Sequence, residues 1–354
     1  MAQEVTFSVF ADFHYKKGMY AASVADMEKI FERAYNDQAE FVVHLGDMCN
    51  DYKGSPELIS AYKNNRYGYE VYGVYGNHEL ETVGNTMPLV TPLITNRCDF
   101  VKWGTDSQNI EDGNIAYYYF DKGLFRFICI DSNYSLDVAT QKYEHNRPAS
   151  WGAPDGNLYP NSLGERQLKW LEETLVLSAK QDKKCIILSH SSFSGLWQKC
   201  NDAKAVRTLF KKANDIKKNT VILALNGHLH TNHKAVVDGV AYVDICAVRN
   251  GWWQGDKFDP YKEENINSPK YTFEYTEYDK EGIETGKCLR PLSSLSMGAQ
   301  SLFYISPMSA TITVSEDGSI KVKGSETEWM YGKTLEKLDN MSLLKIEDSE
   351  IILN

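Results

Sequence analysis

The run Val221-Ile-Leu-Ala-Leu-Asn-Gly-His-Leu-His230 decides how the rest of the chain is read. Five apolar residues closed by Asn-Gly read as a buried strand. Two histidines stand directly behind it, two places apart. Where backbone is still extended, residues i and i+2 point the same way, so His228 and His230 can converge on one cavity. Gly227 lets the chain turn sharply at the strand end.

Four more stretches repeat this arrangement. Val5-Thr-Phe-Ser-Val-Phe-Ala runs into Asp12 and His14, and Phe41-Val-Val-His-Leu runs into Gly46-Asp47. Val71-Tyr-Gly-Val-Tyr precedes Gly76-Asn77-His78-Glu79, and Cys185-Ile-Ile-Leu-Ser precedes His190. Two aspartates, one asparagine amide and five imidazoles are thereby set at strand ends. Hard oxygens and neutral imidazoles suit Mn, Fe or Zn, and two such ions side by side point to phosphate chemistry. Helical patterns lie between several strands. Ser23 to Asn36 puts Val24, Met27, Ile30, Phe31 and Ala34 on one face. Ser162 to Ala179 opens on a capping-box pattern, Ser162 with Glu165, and then lines up Leu168, Leu171, Leu175 and Val176. Strands alternating with helices predict an α/β fold with a parallel sheet, whose ligands bind beyond the carboxyl ends of the strands.

The ordered blocks Asp-x-His, Gly-Asp, Gly-Asn-His-Glu, His and Gly-His-x-His, spanning residues 12 to 230, resemble the calcineurin-like metallophosphoesterases. That resemblance implies two mixed β-sheets packed as a sandwich, flanked by helices, with a dinuclear metal centre at one edge. It implies that Asp12, His14 and His230 hold one ion. Asn77, His190 and His228 hold the other, and Asp47 bridges both. His78 resembles the family's non-ligand histidine beside the scissile phosphate. The chain departs from many members in carrying Ser191-Ser192-Phe193 after His190, and beyond about residue 250 no further motif is matched.

A carboxylate bridging two cations about 3.5–4 Å apart is the arrangement of two-metal hydrolases, in which a water held between the ions is acidified and attacks phosphorus in line. Two divalent ions, two aspartates and one hydroxide leave a single formal positive charge, attractive to an anionic ester despite a chain charge of −10. His78 would protonate the departing oxygen or hydrogen-bond it. The other histidines, His44, His145 and His233, read as surface or satisfied core residues; His44, inside a strand and three residues from Asp47, points away from it in regular backbone and reads as core or as a support behind the ligands. Asp51 reads as a turn or helix-start residue.

With 354 residues, 42% hydrophobic and 12% aromatic, the chain can bury a large core. Length alone suggests two domains, but blocks from 12 to 230 would be cut by any division. The expectation is one domain over 1–354, with insertions at about 131–161 and 249–301 and a C-terminal extension at about 326–354, the latter a helix plus a strand. Hairpins are expected around Asp121-Lys-Gly123, Asp238-Gly239 and Glu316-Asp-Gly318. The first insertion carries Asn133, Tyr134, His145, Arg147 and Trp151; the second carries Trp252, Trp253 and a tyrosine-rich stretch at 271–278. The two tryptophans read first as gap-fillers, and second as a stacking surface for a base or sugar. Seven cysteines without a CxxC pair do not make a disulfide scaffold. No run of ~18 apolar residues predicts a membrane span. No leader precedes the first strand, so the expected location is the cytoplasm, although a matured exported chain would read the same way.

Related branches can be separated on the same blocks. Purple acid phosphatases resemble this chain except for a tyrosine three residues after the Gly-Asp aspartate, where Asn50 stands. Serine/threonine protein phosphatases resemble Gly-Asp-x-Val-Asp-Arg-Gly and Arg-Gly-Asn-His-Glu, where this chain reads Gly46-Asp-Met-Cys-Asn-Asp-Tyr52 and Tyr75-Gly-Asn-His-Glu79, so both arginines are missing. Residues 231 to 354 are too short for the second domain of the 5′-nucleotidases. Net charge −10 and no basic stripe disfavour a nucleic-acid polymer. The blocks are most similar to the bacterial phosphodiesterase branch. The expected activity is hydrolysis of small phosphodiesters (cyclic nucleotides, glycerophosphodiesters or nucleoside-diphosphate conjugates), with a phosphomonoesterase as the alternative. A catalytically dead binding scaffold is the remaining reading, and it would have lost ligands; none is lost here.

Overall fold

The computed structural model describes residues 3–15, 22–49, 55–79, 93–97, 101–104, 117–137, 142–145, 158–194, 200–252, 272–278, 284–291, 301–328 and 345–353. In the first sheet, β1 (Glu4–Phe10), β2 (Phe41–His44) and β3 (Val71–Gly73) run parallel. β18 (Ala310–Ser315), β19 (Ser319–Lys323) and β20 (Ser349–Ile352) extend it antiparallel on the other side of β1. The second sheet has β6 (Phe125–Ile130), β10 (Lys184–Ser189), β11 (Val221–Asn226) and β13 (Val240–Asp244) parallel at its centre. β4 (Lys102–Trp103) and β5 (Tyr118–Lys122) flank β6, and β12 (His233–Val237) flanks β13, all antiparallel to their neighbours. Both sheets are therefore mixed.

The parallel strands are apolar on both faces because each face is covered. Phe7 and Phe41 of the first sheet stack at 5.5 Å, and Phe127 of the second meets both edge-on at 5.1 Å. Phe120 stacks on Phe127 at 4.9 Å and on Tyr72 at 3.7 Å. Each such buried ring contributes about 1.5–3 kcal/mol, and together they join the two sheets. Ile128, Ile130 and Ile187 point the other way, under Leu171 and Leu175 of α3 (Glu165–Lys180) and Val206 and Phe210 of α4 (Ala203–Ile216). α1 (Val24–Asn36) buries Met27, Ile30, Phe31 and Ala34, most of the face expected of it. Its start is fixed by a capping box: Ser23 Oγ accepts from Asp26 N–H, and the Asp26 carboxylate accepts from Ser23 N–H at 2.9 Å. A further helix, α2 (Ser55–Lys63), precedes β3.

Several expectations need correction. The capping box at Ser162 and Glu165 does not form. Ser162 ends β9 (Leu158–Ser162), Gly164 at φ 81° leads into α3, and no side chain caps that helix. Tertiary pairing has taken the residue that local pattern assigned to a cap. The stretches expected as insertions at about 131–161 and 249–301 contain strands of their own. β7 (Tyr134–Asp137) lies between β8 (Lys142–His145) and β9. β14 (Asn250–Trp252) pairs with β17 (Ser301–Phe303), and β15 (Thr272–Tyr278) forms a hairpin with β16 (Glu284–Pro291). Of the C-terminal stretch, β20 is the described strand, and residues 329–344, where a helix was expected, lie outside the described residues. The three expected hairpins are present, that between β12 and β13 turning through Asp238 and Gly239 at φ 51° and 75°. Five cysteines, 49, 129, 185, 200 and 246, are free and buried.

Candidate metal centre

The loops that leave β1 and β2 stay paired past the end of the strands. Asp12 N–H donates to Gly46 O at 3.0 Å, His14 N–H to Asp47 O at 2.8 Å and Tyr15 N–H to Met48 O at 2.9 Å. The second sheet joins them there: Ala11 bridges Ala247, and Val248 N–H donates to Ala11 O at 3.0 Å. Donors from both sheets thus reach one place. Gly46, at φ 92°, and Gly76 let the second and third loops touch, because a side chain on Gly76 would collide with the Asp47 carboxylate.

The backbone route differs from the one expected. Asp12, His14, Asp47, His228 and His230 do not sit on extended backbone. All five adopt left-handed conformations, with φ between 51° and 68°. Asp12 with His14, and His228 with His230, therefore converge through bent loops rather than through strand periodicity. Asn77 and His190 are outside the left-handed region.

Two groups of donors result. In the first, His230 Nε2 lies 3.3 Å from Asp12 Oδ1 and 3.0 Å from His14 Nε2. In the second, His190 Nε2 lies 3.2 Å from Asp47 Oδ2, from Asn77 Oδ1 and from His228 Nδ1. Asp47 Oδ2 faces both groups, since His14 Nε2 is 3.8 Å away on the other side. His78 Nε2 is 3.9 Å from the same oxygen, and its side chain keeps 22% exposure where Asp47 keeps 2%. Ligand atoms of Asp12, His14 and His230 lie within 4.8 Å of one another, as do those of Asp47, His190 and His228, and His78 comes within the same distance of His14 and Asp47. Oxygen and imidazole donors at this spacing, with no thiolate among them, fit a pair of divalent first-row cations.

The groups are aimed by hydrogen bonds. Asp12 accepts His228 N–H at 2.9 Å, and Asp47 Oδ1 accepts His78 N–H at 2.9 Å, leaving Oδ2 to the centre. His190 Nδ1 donates to Leu45 O at 2.7 Å, which turns its Nε2 towards Asp47. Burial pulls the pKa of His14 to about 4, and that of His228 to about 3, which favours the neutral imidazole, the form that ligates a cation. His190 is buried too, but the Asp47 carboxylate outweighs this and raises it to about 10. Asp47 is held well below the usual carboxylate range, burial being overcome by His190 and its neighbours.

Glu79 is the contributor that motif reading left without a role. It is 1% exposed and accepts three backbone N–H groups, from Asp47 at 3.1 Å, Cys49 at 3.0 Å and Gly76 at 2.7 Å. Burial and the nearby Asp47 raise its pKa to about 7. Its place inside the third block was the one signal, since nothing in a lone glutamate announces three main-chain donors. His44 lies beneath the site as a core residue, its Nε2 2.7 Å from Leu93 O. His233 pairs with Asp244 at 3.2 Å. The side chain of His145, and residues Asp51, Arg147, Trp151 and Trp253, lie outside the described residues, as does the side chain of Trp252.

Residues 5–232 match the calcineurin-like phosphoesterase family model, and the chain belongs to that family. It is 28% identical over 176 residues to a manganese-dependent ADP-ribose/CDP-alcohol diphosphatase of Homo sapiens, a match covering 42% of this chain. The chain spans about half the length of that relative, 51%. Among solved structures, a dimetal phosphatase from Danio rerio aligns over 99% of both chains with a TM-score of 0.57 at 17% identity, a likeness of fold. No helix among the described residues is long and apolar enough to cross a membrane.

Proposed function

We propose that this protein hydrolyses small phosphodiesters with the help of two divalent metal ions, nucleoside-diphosphate conjugates being the first substrates to try. The observation that carries the reading is Asp47, whose Oδ2 lies 3.2 Å from His190 on one side and 3.8 Å from His14 on the other. In this reading Asp12, His14 and His230 hold one ion, Asn77, His190 and His228 hold the second, and Asp47 serves both. Bound there, Mn, Fe or Zn would supply an acidified water and neutralise charge on the phosphoryl oxygens. His78 stands at the open side of the cluster, where it donates a proton or hydrogen bond to the leaving oxygen. Because donors come from both sheets, the sheets act as one catalytic unit.

Charge argues for diesters. The metal pocket keeps one formal positive charge, and Tyr75 stands where monoesterases of this kind place an arginine. A diester, or either phosphorus of a nucleoside-diphosphate conjugate, brings one negative charge to the reacting centre, and a monoester brings up to two. The similarity to the ADP-ribose/CDP-alcohol diphosphatase supports the same class. A polymer substrate fits poorly with a net charge of −10. The cytoplasm is the proposed location, in keeping with five free, buried thiols.

The test compares kcat/KM for bis-p-nitrophenyl phosphate and p-nitrophenyl phosphate under Mn, Zn and Fe, followed by ADP-ribose and a CDP-alcohol. A higher kcat/KM for diesters is expected. Preference for monoesters under every metal would promote the phosphomonoesterase reading in its place.

A further inference from the structure

Behind the second donor group lies a short chain of hydrogen bonds that takes no direct part in it. The geometry points to Asn133 as a positioning residue for the Asn77–His190 half of the centre, braced by Gln167 of α3. The inference rests on the metal-centre reading above.

Asp131, Ser132 and Asn133 leave the carboxyl end of β6. Asn133 Nδ2 donates to Tyr75 O at 3.1 Å and to Asp131 Oδ1 at 2.9 Å, using both hydrogens of its amide. Its own N–H also donates to Asp131 Oδ1, at 3.0 Å. Tyr75 is two residues before Asn77, so this amide pins the turn that presents Asn77 and His78. Next to it, Ser132 Oγ accepts Ser191 N–H at 3.2 Å, one residue after His190. One tripeptide therefore holds the backbone beside both Asn77 and His190, whose donor atoms are 3.2 Å apart.

The tripeptide is itself clamped. Gln167 Oε1 accepts Asp131 N–H at 2.9 Å, and Gln167 Nε2 donates to Asp131 O at 2.7 Å and to Leu163 O at 3.2 Å. Asp131 and Gln167 are 0% and 1% exposed, so water does not stand in for either partner. A buried amide that satisfies a main-chain donor and acceptor at once leaves both unpaired when it is lost. The first donor group has different supports: Asp12 and His14 hang from Gly46 O and Asp47 O, and the Asp12 carboxylate takes His228 N–H. Removing the Asn133 amide should therefore weaken one half of the centre and spare the other.

The experiment is calorimetric titration of Mn2+ into the metal-free full-length protein, with melting temperature and steady-state kinetics measured alongside. Wild type should bind two ions. Asn133→Ala should weaken one step by about 10–100-fold, the usual range for a group that orients a ligand, and leave the other within about twofold. Asn133→Asp cannot donate to Tyr75 O and sets a second carboxylate against Asp131, so the same step should fall further. Gln167→Glu can still accept from Asp131 N–H but cannot donate to the two carbonyls; it should move the same step by less, and it provides a second reading if an Asn133 variant fails to fold. In each variant kcat should drop more than KM changes. Unchanged binding in Asn133→Ala and Asn133→Asp overturns the inference, as does a joint fall of both steps together with the melting temperature. Failure of wild type to bind two ions overturns the metal-centre reading instead.

Discussion

At the carboxyl ends of the parallel strands Asp12, His14, Asp47, His228 and His230 take φ between 51° and 68°; at the amino ends Gln38, Asp182, Asn219 and Asp238 take φ between 51° and 59°. The two sets bend the chain alike but answer to different causes. Asp182, Asn219 and Asp238 are residue types that enter left-handed backbone readily, and they close turns into β10, β11 and β13. Asp12 and Asp47 share that tolerance, but His14, His228 and His230 are bulkier, and a left-handed residue costs about 1–2 kcal/mol. At the metal end that cost is offset by the main-chain bonds from Asp12 and His14 to Gly46 and Asp47, and it turns side chains inward. Strain at one end serves a site; at the other the same dihedral is only a way round a corner.

The largest effect should come from Asp47→Asn. Asparagine accepts left-handed backbone, and its carbonyl can keep the bond that Asp47 Oδ1 accepts from His78 N–H at 2.9 Å. The substitution thus removes charge at Oδ2 and leaves the bend alone. Activity should fall by more than about 10³-fold with loss of at least one metal, in a protein that melts cooperatively. Elemental analysis and turnover decide it: full metal content with near-normal rate would show that the bend, and not the bridging charge, is what position 47 supplies.

His78→Ala separates a residue outside both donor groups from those within them. Both metals should stay, and the rate should drop by roughly 10²–10⁴, the range for losing a general acid. The loss should shrink for p-nitrophenyl esters, whose leaving group needs little protonation. Equal losses for activated and natural esters would mean that His78 positions the phosphate or supports an ion, as its 3.9 Å approach to Asp47 Oδ2 also permits.

This difference between the two ends bears on what could be read ahead of the structure. The donor blocks were legible because each follows a buried apolar run, as Val221–Asn226 precedes Gly227-His228. The left-handed turns at His14, His228 and His230 were not, because histidine gives no local sign of them; they arise from pairing between loops far apart in sequence. β8 and β9 escaped for a similar reason. Lys142-Tyr-Glu-His145 is polar, and Leu158–Ser162 contains Pro160, so neither shows a strand pattern until β7 lies between them. The support from Asn133 and Gln167 is a matter of three-dimensional contact alone. α4 is a different case: Ala203, Val206, Phe210 and Ala213 stand at helical spacing that is visible in the sequence itself.

Gln38→Gly tests the amino end. Gln38 is exposed, at φ 59°, in the turn between α1 and β2. Glycine removes about 1–2 kcal/mol of left-handed cost and adds about 0.5–1 kcal/mol of unfolded-state entropy. A net gain of roughly 0.5–1 kcal/mol is expected, seen as a rise in melting temperature of about 1–2 °C, with unchanged kcat/KM. A drop in activity would show that the amino-end turns are coupled to the site and do more than turn the chain.

The smallest effect repeats the aspartate-to-asparagine change at the amino end. Asp121, near the end of β5 and opposite Arg126 of β6, accepts from Arg126 Nε at 2.8 Å and Nη2 at 3.0 Å, with Lys183 Nζ at 3.2 Å. Burial would raise its pKa, but Arg126 and Lys183 outweigh that and hold it below the ordinary 3.8. A carboxyl depressed by folding adds stability that is complete above the unfolded value and is lost as pH falls through the folded one. Asp121 is 34% exposed, so solvent screens the pair and its contribution should stay below about 1 kcal/mol. Asp121→Asn should therefore lower stability slightly at pH 7, and the gap to wild type should close as the pH is taken below about 4. Activity should not change. Urea titrations at several pH values give the gap, and one that stays constant or widens in acid would remove Asp121 from the stability account. Beside Asp47→Asn, the pair asks whether one chemical change alters turnover at one end of these strands and only stability at the other.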